Sequence, residues 1–174
     1  MKRSVDLLSN LIIALKNYPT VLVTGPQRSG TTITTIILAK ELGYEYIDEG
    51  EHGAYDVFSA FKIYDTKTKF VMHGPGLSAY AQIFPGAIVF VKRSTKEIIQ
   101  SEKRISWDLS VTEKRRYFSD CPETHIADLK WEMWKKFQQL DKRFFDLNYN
   151  DLETHELWVD KEKRKDFGGR QTFV

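Results

Sequence analysis

The chain has 174 residues and a mass of 20.3 kDa, the size of a single domain spanning 1–174. Its 26 Lys+Arg stand against 24 Asp+Glu, and this net charge of +2 lacks the lopsided positive charge of an arm-like nucleic-acid binder. A hydrophobic content of 41% supports a sizeable core and argues against wholesale disorder, while the lone Cys121 excludes an internal disulfide framework or a multi-cysteine zinc site and fits a reducing, cytoplasmic setting.

From the N-terminus, Ser4 caps a helix running to about Lys16, with Val5, Leu8, Ile12 and Leu15 along one side. Asp6, Asn10 and Lys16 interrupt its apolar residues, so it reads as an amphipathic helix and not as a leader. No stretch approaches the roughly 20 apolar residues of a bilayer span, and no membrane partner is expected. Thr20 to Thr24 is a short β-branched run, read as a buried strand. Gly25 to Gly30 is a glycine-bounded loop, and Thr31 to Leu42 a helix stopped by Gly43. Tyr44 to Ile47 is predicted as a second strand, Ala54 to Tyr64 as a helix, Asp65 to Thr68 as a turn, and Phe70 to His73 as a third strand ended by Gly74-Pro75-Gly76.

Ala87 to Val91 is the clearest strand, followed by a helix from about Thr95. A longer helix is predicted to begin near Pro122, with Ile126, Leu129, Met133, Phe137, Leu140 and Phe144 along its apolar side. Phe145 to Tyr149 is the last predicted strand. Alternation of strands and helices predicts an α/β fold of three layers, a mostly parallel central sheet of about five strands with helices on both faces. Ligands of such sheets bind beyond the C-terminal ends of the strands.

The segment Thr24-Gly25-Pro26-Gln27-Arg28-Ser29-Gly30-Thr31-Thr32 lies at such an end, between a strand and a helix. Its glycines let backbone amides turn inward onto a phosphate, and the helix N-terminus adds partial positive charge. The threonine hydroxyls can bond the same oxygens. The nucleotide-triphosphate pattern G-x-x-x-x-G-K-[ST] would place a lysine at Thr31; the cation here is Arg28, inside the loop. No carboxylate of the usual Mg²⁺-holding kind follows Val91, where Lys92-Arg93 stands instead. A phosphate-binding loop of arginine and hydroxyls suits a donor that needs no metal.

On these residues the chain resembles the sulfotransferases that use 3′-phosphoadenosine 5′-phosphosulfate (PAPS), whose loop reads P-[KR]-S-G-T-T and whose fold is of the P-loop NTPase type. The resemblance implies that Gly25, Arg28, Ser29, Gly30, Thr31 and Thr32 bind the 5′-phosphosulfate, with Arg28 meeting charge on the leaving phosphate. The arginine form is similar to that of the Golgi tyrosylprotein and carbohydrate enzymes. A second mark is an arginine at a strand end with a serine eight positions on: Arg93 and Ser101 have that spacing and are implied to take the 3′-phosphate. His73 of His73-Gly74-Pro75 matches the His-x-Pro whose histidine is the general base of cytosolic members. An imidazole, with an ordinary pKa of about 6.5, suits that role. Glu49, 21 positions after Arg28, matches the glutamate base of Golgi-type members. Tyr149-Asn150-Asp151-Leu152 is similar to the family's Y-E-D-L and places Tyr149 near the adenine. Arg164-Lys165 and Gly168-Gly169-Arg170 are loosely similar to the elements that close over the 3′-phosphate. The chain is shorter than cytosolic members, and Ile33 stands where the family carries an aromatic residue.

The expected activity is metal-independent, in-line transfer of a sulfuryl group from PAPS, as donor co-substrate, to a hydroxyl or amine of a small-molecule or saccharide acceptor. Either His73 or Glu49 takes the proton, and Trp107 is a candidate for the acceptor pocket. Two alternatives stand beside it. One is a small kinase using Mg²⁺ with ATP or GTP, in which Arg93 and Arg104 clamp phosphates and Asp48 or Glu49 handles metal or acceptor. The other is a non-catalytic nucleotide-binding protein of the same fold.

Overall fold

A computed structural model describes residues 2–104, 114 and 123–159. Cys121, Pro122, Trp107 and the basic segment from Arg164 to Arg170 lie outside the described residues. Five parallel strands, β1 (Thr20–Thr24), β2 (Glu45–Ile47), β3 (Phe70–His73), β4 (Ala87–Lys92) and β5 (Phe144–Asn148), form one sheet in the order β2-β3-β1-β4-β5. The expected α/β class is therefore observed.

The strands are apolar on both faces because both are covered. Their period of two sorts the side chains. Val21, Val23, Val71, Val89, Val91 and Leu147 point to one side, where α1 (Lys2–Leu15) and α2 (Thr31–Leu42) supply Leu8, Leu11, Leu15, Ile36, Ile37 and Leu38. Leu22, Phe70, Met72, Ile88, Phe90 and Phe144 point to the other side. There they meet Ala60 and Ile63 of α4 (Val57–Thr66), Leu77 and Ala81 of the 3₁₀ segment Pro75–Ile83, and Trp134 of α6 (Ile126–Leu140). The short α3 (Glu49–His52) follows β2, α5 (Thr95–Arg104) follows β4, and the 3₁₀ turn Tyr149–Leu152 and α7 (Glu156–Val159) follow β5.

Several boundaries differ from the sequence reading. The region predicted as one helix from Ala54 holds the end of α3's loop and then α4, because Asp48 and Asp56 each cap a helix of their own. The second strand begins at Glu45, since the amide of Tyr44 still bonds back to Ala39 in the glycine-ended cap of α2. The long helix starts at Ile126, where His125 accepts the amide of Ala127 from a capping position. It stops at Leu140, so Phe144 belongs to β5 and Tyr149 to the 3₁₀ turn.

The buried face of α6 also differs. It comprises Ile126, Ala127, Lys130 and Trp134, whereas Leu140 is 78% exposed. Asp146 explains part of this rotation: it accepts the indole N–H of Trp134 at 2.6 Å and the amide of Gln138 at 2.7 Å, which turns those residues toward β5.

Candidate functional site

The chain leaves β1 for β2 on one side of the sheet and leaves β4 for β5 on the other, so β1 and β4 flank the point where the strand order reverses. A crevice at the strands' C-terminal ends is generated there by topology alone. Gly25 ends β1 against β4 so closely that a Cβ on it would lie 2.8 Å from the Val91 carbonyl oxygen. Its φ of +143° is open to glycine and strained for other residues. The loop then turns through Arg28, the one non-glycine residue at positive φ among those described, at +64°. Gly30 completes the turn and precedes α2.

Arg28 and the residues after β4 meet across this crevice. Arg28 donates from Nε to Oγ of Ser101 at 3.0 Å, and its carbonyl accepts Nη1 of Arg93 at 3.0 Å. Ser101 is buried on α5. The guanidinium of Arg93 also lies 4.1 Å from the ring centre of Tyr149, a cation–π distance. Tyr149 in turn packs edge-on to Trp158. Burial, then the positive charges of Arg104 and Arg93, hold Arg28 below the ordinary arginine value. Three guanidinium groups thus bear on one small region. Glu97 lies 3.8 Å from Arg93, and Tyr149 and then Glu102 act on Arg28 in the sense opposite to the two arginines.

The sequence-derived candidates fall into two groups. Arg28, Gly30, Arg93, Ser101 and Tyr149 form the wall just described. On the other side, Nε2 of His73, at the end of β3, lies 2.9 Å from Oγ1 of Thr31 and 3.3 Å from Oγ1 of Thr32. Thr31 is buried and Thr32 exposed. Ser29 is fully buried, and its hydroxyl has no hydrogen-bond partner among the described residues. Glu49 opens α3, which is tied to β3 because His52 Nε2 lies 2.9 Å from the His73 carbonyl oxygen. Asp48, by contrast, is committed locally. It accepts the amide of Gly50 and the hydroxyl of Tyr46, and Glu51 returns a bond to its amide.

Beside the arginine wall, a cleft of about 570 Å³ opens beyond β4 and β5. Lys92, Arg93, Thr95, Trp131, Tyr149 and Asn150 are among its lining residues, and Lys92 Nζ lies 3.8 Å from the Trp131 ring centre. Trp131 was not singled out by sequence, since a helical tryptophan reads as core. Beneath the loop lies a further group that sequence reasoning missed. Thr24 donates to the Gly74 carbonyl at 2.8 Å and meets Ser78 Oγ at 2.7 Å, while Lys130 donates to the carbonyls of Gly25 and Pro75. No hydrophobic spacing in the sequence marks Lys130, which the structure places beside Ile126, Ala127 and Trp134 on the buried face of α6.

Fold and site together define an α/β protein with a five-stranded parallel sheet and a glycine-bounded loop between its first strand and second helix. No family model matches the sequence, and no curated protein matches it. Among solved structures, the chain is similar to the shikimate kinase from Acinetobacter baumannii in complex with shikimate, at 15% identity and a TM-score of 0.42, over 75% of this chain and 98% of the kinase chain. Among the described residues no helix is long and apolar enough to cross a membrane.

Proposed function

We propose that the chain is a sulfotransferase that carries a sulfuryl group from PAPS to the hydroxyl or amine of a small-molecule or saccharide acceptor. The observation that supports this most is the joining of Arg28 to Ser101 and Arg93 across the crevice. The loop arginine and the strand-end arginine–serine pair are far apart in sequence, yet they converge as two adjoining phosphate subsites require. The convergent positive charge favours a ligand with several negative charges. The buried hydroxyl of Ser29 and the first-turn amides of α2, which have no partners within the helix, are suited to the same anion.

In the reaction, the acceptor oxygen or nitrogen bonds to sulfur as the bond from sulfur to the bridging oxygen of the 5′-phosphate breaks. The acceptor proton passes to His73 or Glu49. The electron pair remains on the phosphate, where Arg28 and the α2 terminus stabilise it before and during the transfer. No metal ion is needed for this charge balance. Arg93 and Ser101 hold the 3′-phosphate, and Tyr149 borders the nucleoside.

A second reading is a small kinase. Thr32 occupies the Ser/Thr position of the nucleotide-triphosphate loop and its side chain is exposed, as a hydroxyl that contacts Mg²⁺ would be. Calorimetric titration separates the two. Binding of adenosine 3′,5′-bisphosphate without Mg²⁺, lost in Arg93→Gln and Ser101→Ala, is the expected result. A preference for ATP with Mg²⁺ transfers the site to the kinase reading. Binding of neither nucleotide points to a fold without catalysis.

A further inference from the structure

We infer that Lys130 is a positioning residue, the strut that fixes the phosphate loop relative to the turn carrying His73. Lys130 is 1% exposed, although its helix has solvent on its opposite side. Its Nζ donates to the Gly25 carbonyl at 3.1 Å and to the Pro75 carbonyl at 2.8 Å. Gly25 begins the phosphate loop, and Pro75 lies two positions after His73. An amine withdrawn from water is costly unless other acceptors replace the water, and here backbone carbonyls of two different loops do so.

The surrounding bonds make this a junction and not an isolated contact. Ser78 Oγ lies 2.8 Å from the same Pro75 carbonyl and 3.3 Å from the same Gly25 carbonyl, and Thr24 reaches the Gly74 carbonyl. Thr24 and Ser78 therefore connect the ends of β1 and β3 from within the sheet edge. Lys130 does so from α6, 105 positions from Gly25 in sequence. The two loops adjoin the two halves of the site, with Arg28 and Ser29 on one and His73 at the strand end that leads into the other. Their relative position decides the distance between donor and base. Displacement of a reacting group by about 1 Å costs on the order of a hundredfold in rate, so a rigid connection at this point has kinetic consequences.

The role does not require a particular donor, although its kinetic arm rests on the sulfotransferase reading. Lys130→Met keeps the length of the side chain and removes the donors. In ligand-free protein, amide hydrogen exchange in the segments 24–30 and 74–78 should accelerate together by about tenfold or more, with protection of β3 and β4 retained. Unchanged exchange in both segments overturns the inference. Uniform loss of protection also overturns it, because Lys130 then serves only the core. Should Lys130→Met not fold, Lys130→Leu also lacks a donor and is read in the same way. With PAPS and an acceptor, kcat should fall about tenfold or more while the donor KM changes about threefold or less. Equal kcat in variant and wild type overturns the positioning role. Absence of turnover in the wild type counts against the sulfotransferase reading alone, and the exchange measurement still decides the role of Lys130.

Discussion

Tyr149 lays its ring against Gly30 so closely that a Cβ on the glycine would lie 2.3 Å from Cδ2. Gly30 also has a φ of +97°, which a side chain tolerates poorly. The turn after β5 and the entrance to α2 are thereby held together by the absence of one methyl group. Gly30→Ala should destabilise the protein by about 1–3 kcal/mol, from strain and from displacement of the tyrosine. Chemical denaturation measures it. The double variant with Tyr149→Ala should recover the steric part and retain the backbone part.

Arg28 offers a cleaner separation of binding from folding. Its backbone is left-handed, a conformation glycine adopts freely. Arg28→Gly should leave thermal stability equal or raised while removing the guanidinium. Loss of affinity for adenosine 3′,5′-bisphosphate, with a rate loss on the order of 10²–10³, is the expected outcome. An active Arg28→Gly enzyme would contradict the proposed role of the loop arginine.

The two candidate bases give different results in the pH–rate profile. His73→Asn and Glu49→Gln each remove one proton acceptor. The variant lacking the true base should lose about 10²–10⁴ in kcat together with the ionisation on the acidic side of the profile. The other should keep that limb. Retention of the limb in both variants would place the base elsewhere.

Acid stability follows from two carboxylates outside the site. The amide and then the hydroxyl of Ser59 hold Asp56 below its ordinary value; the amide and then the side chain of Arg143 do so for Asp141. A carboxylate depressed in the folded state stabilises above its unfolded value, about 3.9, and that stability is lost as the pH falls through the lower folded value. The urea midpoint should therefore fall between pH 5 and acid conditions near about pH 3, and Asp141→Asn should fall less over the same interval. An identical acid response in that variant would remove Asp141 from the account.

The strands were legible because each is a short apolar run between turn residues. Val21 to Val23 and Ala87 to Val91 have both faces buried, which sequence expresses as unbroken hydrophobicity. The loop was legible because its chemistry is contiguous. Asp48 was harder to read: as a carboxylate beside Glu49 it resembled a site residue, and only the bonds to Gly50 and Tyr46 reveal a cap. The face of α6 was misjudged for a related reason. Leu129, Met133, Phe137 and Leu140 form the better apolar spacing, but the bond from Trp134 to Asp146 and the burial of Lys130 set the rotation. Polar groups that bury themselves by bonding distant carbonyls are invisible to hydrophobic periodicity.

The support of Gly25 from Lys130 bears on how such a loop is inherited or transplanted. A graft of β1, the loop and α2 into another parallel sheet would bring the glycines, the arginine and the helix terminus. It would leave behind the amine that steadies the first of those glycines from a helix much later in the chain. Such a chimera should still attract phosphate, yet hold it in a looser register, so that insertions between β4 and α6 become a means of tuning the loop without altering one of its residues.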